Sequence, residues 1–193
     1  LILHDANAAA TKTLTVNTNS ITGNAVIVDG AAETNGVLVI TSATTGAATI
    51  TLGAGDDRYT GTGAATTGLT ATAGANTITT AGGVDTITGG TGVDTVNTGA
   101  GDDVITGGNG ADQLTGGAGD DTFTYTAVVQ SSSAIVDSIL DFVSADDTLA
   151  VTLDYSGAAS AVIVNAVVTT AQSNKSNVEN TLTADRGQAV YDT

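Results

Sequence analysis

From Thr77 onward the apolar positions recur every nine residues: Ile78, Ile87, Val96, Ile105, Leu114 and Phe123 each sit in the middle of a short run such as TIT, TVN, VIT, QLT or TFT. Thr, Val and Ile favour strands, and in a three-residue strand the middle side chain points one way and its neighbours the other. With the apolar residue numbered eight, position eight is predicted to face inward and positions seven and nine to face water. Positions one to six are rich in Gly and acid, which reads as a tight turn. Position four is Gly74, Gly83, Gly92, Gly101, Gly110 and Gly119, and position six is Asn76, Asp85, Asp94, Asp103, Asp112 and Asp121. Two such turns and two strands close a coil, and coils of this kind stack as parallel strands about 4.8 Å apart.

The pattern extends upstream with faults. LGAGDDRYT (52–60) is a good copy, with Asp57 at position six and Tyr59 at eight. Residues 61–70 carry one extra residue and no acid, although Leu69 still falls at position eight. ATTGAATIT (43–51) keeps Gly46 and Ile50 and lacks an aspartate. Residues 1–51 alternate weakly and are rich in Thr, Ala and Val, as in TLTVNTNSITGNAVIVDG, which predicts strands continuing the solenoid without its acids. The expected organisation is a Thr/Ala-rich β region over 1–51, an acidic roll over 52–124 and a β region closing it over 125–193.

Composition narrows the fold. The 193 residues include 25 Gly and no Pro, Cys, Met or Trp, and the aromatics are Tyr59, Phe123, Tyr125, Phe142, Tyr155 and Tyr191. So few large side chains make a thin core, which suits an elongated solenoid better than a sphere. The formal charge of −16 sets 20 acids against Lys12, Arg58, Lys175 and Arg186. Such a chain is a poor partner for nucleic acid or for an anionic membrane, and cations are its natural ligands. No apolar run reaches the length of a membrane span, so no membrane insertion is expected. There is no HExxH or GxSxG, and His4 is the single histidine, so no catalytic constellation is predicted. Without an initiator Met or a signal peptide, the sequence reads as a piece of a longer protein.

The turn carries the chemistry. Stacking brings residues 18 apart above one another, pairing Asp85 with Asp103, Asp103 with Asp121, Asp94 with Asp112, and Asn76 with Asp94. Bare carboxylates at that separation repel, and residues 82–124 hold seven aspartates with no Lys or Arg to neutralise them. A hard dication resolves this. Ca²⁺ takes six to eight oxygens from carboxylates and carbonyls in flexible geometry, whereas Mg²⁺ demands a stricter octahedron. Zn²⁺ is disfavoured without Cys and with one His.

The stretch GGVDTITGGTGVDTVNTGAGDDVITGGNGADQLTGGAGDDTFT resembles the calcium-binding nonapeptide repeat of RTX proteins, closely over 71–124 and more loosely over 43–70. That resemblance implies an all-β, right-handed parallel β-roll, or β-helix solenoid, with Ca²⁺ between successive turns, followed by a small β cap. It implies that each ion is held by positions two, four and six of one turn and one, three and six of the turn above. One ion would then use Gly90, Gly92 and Asp94 with Gly107, Asn109 and Asp112; another would use Gly99, Gly101 and Asp103 with Gly116, Ala118 and Asp121. Asp57, Gly83 and Asp85 are further candidates, Asn76 a weaker one, and Ala65 and Thr67 depart from the pattern. DSILDFVSADDTL (137–149) resembles the segment that caps RTX rolls, with Asp137 or Asp141 expected to complete a last site or else to lie on a solvated polar edge. NTLTADRGQAVYDT (180–193) resembles the start of a closing strand pair.

The resemblance further implies type I secretion and folding on extracellular calcium. The Ala/Thr/Gly/Asn-rich style leading into the repeats resembles bacterial surface-layer proteins of the Caulobacter type, which implies a structural role at the bacterial cell surface, with copies of itself in a lattice or other surface components as partners. The alternative is a calcium-binding module of a large secreted adhesin or toxin. The recurrence of Thr at position nine leaves ice binding through a Thr ladder as a minor alternative.

Overall fold

The computed structural model describes residues 1–4, 13–21, 23–34, 36–127, 130–131, 136–152 and 164–166. Every regular element among them is a strand: β1 (Ile2–His4), β2 (Thr13–Asn17), β3 (Val26–Ala32), β4 (Val37–Ser42), β5 (Ala48–Thr51), β6 (Arg58–Gly61), β7 (Thr67–Thr70) and β8 (Thr77–Thr79). They continue as β9 (Thr86–Thr88), β10 (Thr95–Ala100), β11 (Val104–Thr106), β12 (Gln113–Ala118), β13 (Thr122–Tyr125), β14 (Asp137–Ile139), β15 (Thr148–Val151) and β16 (Val164–Ala166). No helix of the described residues is long and apolar enough to cross a membrane.

The odd-numbered strands form one eight-stranded sheet in chain order and the even-numbered strands form another, with neighbours parallel throughout. The chain therefore winds as a β-solenoid, alternating sheets and gaining one strand on each sheet per coil. This follows from the short turns, which let the chain cross to the facing sheet and no further. The register is like on like. Tyr59, Ile78, Val96, Leu114 and Ile139 align across the even sheet. Ile50, Leu69, Ile87, Ile105, Phe123 and Leu149 align across the odd one. The extra residue in 61–70 is absorbed before β7, so Leu69 keeps its place.

Position eight is buried in every repeat, as its alternation requires, and these two files of side chains meet to form the core. Position seven is exposed in β6, β8, β9, β10, β11 and β12. Position nine is half-buried at Thr60, Thr79, Thr88, Thr106 and Thr115 rather than fully solvated, because the chain bends there into the next turn. The sheets run on beyond the repeats. β14 pairs with β12 through Gln113↔Ser138, and β15 pairs with β13 through Thr122↔Thr148. Residues 137–149 thus add a further coil, with longer turns, and its Phe142 ring packs at 6.1 Å from Phe123 at the end of the core. The closing strand pair expected to start in 180–193 lies outside the described residues.

Candidate metal centre

The turns line two edges of the solenoid. Turns leaving odd strands (52–57, 71–76, 89–94, 107–112) form the first edge, and turns leaving even strands (80–85, 101–103, 119–121) the second. Position four carries Gly92 at φ +129° and Gly101 at φ +135°, a left-handed backbone that side chains with a Cβ rarely adopt. Contact reinforces conformation. A Cβ on Gly110 would collide with the Gly92 carbonyl oxygen, one on Gly108 with that of Gly90, and one on Gly117 with that of Gly99. The glycines of each upper turn thus leave clear the space into which the carbonyls of the turn below point.

The position-six residues form two ladders. On the first edge, the backbone N–H of each residue donates to the Oδ1 of the one above. Leu38 donates to Asp57 (2.8 Å), Asp57 to Asn76 (3.0 Å), Asn76 to Asp94 (2.8 Å), Asp94 to Asp112 (2.9 Å) and Asp112 to Asp137 (2.9 Å). On the second edge Thr67 donates to Asp85 (2.5 Å), Asp85 to Asp103 (2.7 Å), Asp103 to Asp121 (3.0 Å) and Asp121 to Asp147 (3.0 Å). Asp137 therefore completes the first ladder. The second ends on Asp147, which the sequence reading missed, because the nine-residue period has lapsed there and no spacing pointed to it. Asp141 instead accepts from the N–H groups of Gly116 (3.1 Å) and Gly117 (2.8 Å).

In six of these carboxylates only one oxygen is occupied. The Oδ2 atoms of Asp57, Asp85, Asp94, Asp103, Asp112 and Asp137 are buried with no hydrogen-bond partner. Such orphaned acceptors cost free energy that native structures ordinarily avoid. Among the described residues Arg58 is the one Lys or Arg side chain, and it is exposed. Burial, then the Asp112 carboxylate, pushes Asp94 up to about 7. Burial likewise raises Asp57, Asp121 and Asp137 to about 6, and raises Asp85 and Asp112. The rows call for positive charge.

The Asn76 coil shows what surrounds such a position. Asp57 N–H fixes the Asn76 Oδ1, so the amide nitrogen faces the other way. There it donates to the carbonyls of Gly74 (3.1 Å), Ala73 (3.4 Å) and Gly89 (3.4 Å). Carbonyls from two successive turns therefore converge on one electropositive group, beside Asp94. In the coils above, a carboxylate replaces the amide and that donor is gone. Two carboxylates and convergent carbonyls are the hard oxygen set that suits Ca²⁺. Among the described residues no three Asp, Glu, His or Cys side chains gather at one point, so main-chain oxygens must supply much of any coordination.

The predicted ligand sets are brought together as stacked turns. Asn109 N–H donates to Gly90 O and Gly92 N–H to Asn109 O, both at 2.8 Å. On the second edge, Gly101 N–H donates to Ala118 O (2.8 Å) and Gly99 pairs with Gly117. A Cβ on Gly107 or Gly116 would meet the Oδ2 of Asp112 or Asp121 in its own turn, so Gly at position one keeps that oxygen accessible. The lower turns of the second edge carry Thr at this position instead. Buried Thr80 donates its hydroxyl to Thr98 O (2.6 Å), and Thr98 to Gly116 O (2.8 Å). Gly83 adopts φ +97° in the turn before Asp85, and Thr67 occupies a ladder position without a carboxylate.

Comparison with known families finds the RTX calcium-binding nonapeptide repeat (4 copies) over residues 69–96 and 88–123. No curated protein and no solved structure matches the chain.

Proposed function

We propose that the chain is a calcium-binding structural module of the bacterial cell surface, a reading supported by the match of residues 69–96 and 88–123 to the RTX calcium-binding nonapeptide repeat. The observation that carries the reading is the row of buried, unpartnered Oδ2 atoms beside convergent carbonyls. On the first edge, Gly90, Gly92 and Asp94 act with Gly107, Asn109 and Asp112. On the second, Gly99, Gly101 and Asp103 act with Gly116, Ala118 and Asp121. Asp57, Gly83 and Asp85 extend the sites downward, and Asp137, Asp141 and Asp147 close them above. A bound Ca²⁺ supplies the positive charge that the ladders lack.

The chain's own residues do the rest. Without a cation, the buried carboxylates repel one another and resist ionisation, and the Gly-rich turns have little to hold them. Binding energy thereby becomes folding energy. This logic fits a protein that stays unfolded in a calcium-poor cytosol, leaves by type I secretion and folds outside, where sites of this kind work at about 10⁻⁴–10⁻³ M Ca²⁺. The Thr/Ala-rich coils of 1–51, the acidic roll of 52–124 and the region 125–193 then serve as parts of one wall-like element. Its partners are copies of itself or other surface components, as in a surface layer.

The test is far-UV circular dichroism during a Ca²⁺ titration, with Mg²⁺ as the control. A coil-to-β transition near millimolar Ca²⁺ that Mg²⁺ does not produce is expected; full β-structure in chelator, unchanged by Ca²⁺, would sink the proposal. Electron microscopy of the calcium-loaded chain separates the surface-layer role, which gives ordered sheets, from a module of a large adhesin or toxin, which stays dispersed.

A further inference from the structure

Below the repeats, the first edge keeps a turn in which the carboxylate has moved. Register places Leu38 under Asp57, so Leu38 holds the position-six place and brings no oxygen. The main chain nonetheless keeps the pattern of the repeats. Glu33 O accepts from Ala54 N–H at 2.9 Å, as Gly90 O accepts from Asn109 N–H three coils above. The Gly36 carbonyl points at Gly55, as that of Gly92 points at Gly110. Glu33 therefore stands at position two and Gly36 at position four of the lower turn.

Glu33 is an unusual residue to find there. It is 1% exposed, and both of its carboxylate oxygens are buried without a hydrogen-bond partner. Nothing in the repeat demands a long acidic side chain at position two, which is Gly in 89–94 and 107–112. Its backbone stacks directly under Gly53: a Cβ on Gly53 would lie 2.7 Å from the Glu33 Cβ. Burial is the main cause that raises the Asp57 pKa, and the Asp56 and Glu33 charges add to it, which puts Glu33 within electrostatic reach of Asp57. Asp57 Oδ1 is taken by Leu38 N–H, and its Oδ2 is a further buried orphan. Three carboxylate oxygens from two residues thus lie in two stacked, buried turns without a donor, and the one described Lys or Arg, Arg58, is exposed.

We propose that Glu33 and Asp57 together hold a divalent cation between the 33–36 and 52–57 turns, outside the stretch that matches the repeat family. The position-two side chain supplies the carboxylate that Leu38 cannot, and the carbonyls of Glu33 and Gly36 lie in the same turn. The inference rests on the calcium reading of the repeats and extends it into coils where acids at position six are missing.

The experiment counts Ca²⁺ bound by the full 193-residue chain and by Glu33→Gln, using calorimetric titration, and follows melting in calcium and in chelator. Expected is one Ca²⁺ fewer for Glu33→Gln, with a melting point raised in chelator and lowered in calcium relative to the parent. A carboxyl with a purely packing role would shift both melting points the same way, and an unchanged ion count would overturn the proposal. Should Glu33→Gln not fold at saturating calcium, Glu33→Leu, of similar bulk and needing no partner, is judged by the same count. A parent chain that binds no Ca²⁺ at all overturns the underlying reading together with this one, whereas a parent that binds with Glu33→Gln indistinguishable from it overturns this one alone.

Discussion

At the scale of single residues, the amide of Asn76 and the carboxylates above it are two solutions to one problem. A cluster of carbonyls needs a positive partner, and Asn76 Nδ2 provides a neutral donor from within the chain. Asn76→Asp removes that donor and adds a charge. In chelator the variant should lose about 1–3 kcal/mol, the cost of leaving buried acceptors unsatisfied. In calcium it should bind an additional ion. Chemical denaturation in both conditions checks this, and a variant weaker in both with no added ion would contradict it. Position one gives a second prediction. Gly107 has no left-handed backbone to defend, yet a Cβ there would press on Asp112 Oδ2. Gly107→Ala should therefore weaken calcium binding and cost about 1–3 kcal/mol of crowding. Gly68→Ala is the control, since its Cβ would meet only Ala48 O at 3.9 Å. Equal calcium affinity in the two variants would show that position one is free of the site.

At the scale of the strand, each three-residue element contributes one side chain to the core, so stability is spread evenly and thinly along the coils. Ile105 is fully buried between Ile87 and Phe123. Ile105→Ala should cost about 2–5 kcal/mol, and calcium should recover part of that through the flanking turns; a loss under about 1 kcal/mol would mean that the core is not shared in this way. This evenness explains what could be read in advance. Where nine residues repeat, Ile105 must stack on Ile87 and Asp103 on Asp85, because any slip would turn position eight outward. Where the interval lengthens, the signal fades. Asp147 lies on the second ladder only because a long turn returns it there, and no period announces that. Glu33 reaches its buried place from position two, so a search for acids at position six passes over it. Thr80 and Thr98 look like ordinary strand-flanking threonines, and only the stacked structure reveals which carbonyls their hydroxyls take.

At the scale of the whole molecule, the net charge of −16 is concentrated inside as well as outside, and that sets how the fold responds to pH. Burial raises Asp94 to about 7 and Asp57, Asp121 and Asp137 to about 6, from an ordinary value of 3.8. Between those limits the folded, metal-free chain holds protons that the unfolded chain has released. Stability must then fall as pH rises from about 4 to about 7, because the native state binds the extra protons. Calcium removes that slope. Its ligands must be ionised, so calcium affinity and the stability it confers rise through the same window, and binding below pH 7 releases protons. Thermal melts in chelator should therefore show a melting point that decreases from pH 5 to pH 7.5, while melts in millimolar calcium show one that changes little, so that the gap between them widens with pH. The two curves converge at low pH, where the protonated carboxylates bind no calcium, and part at a pH set by the calcium concentration. A chelator curve that is flat or rises would mean that the carboxylate rows are neutralised by some other means, and the ladders would then be structural supports with no part in sensing calcium.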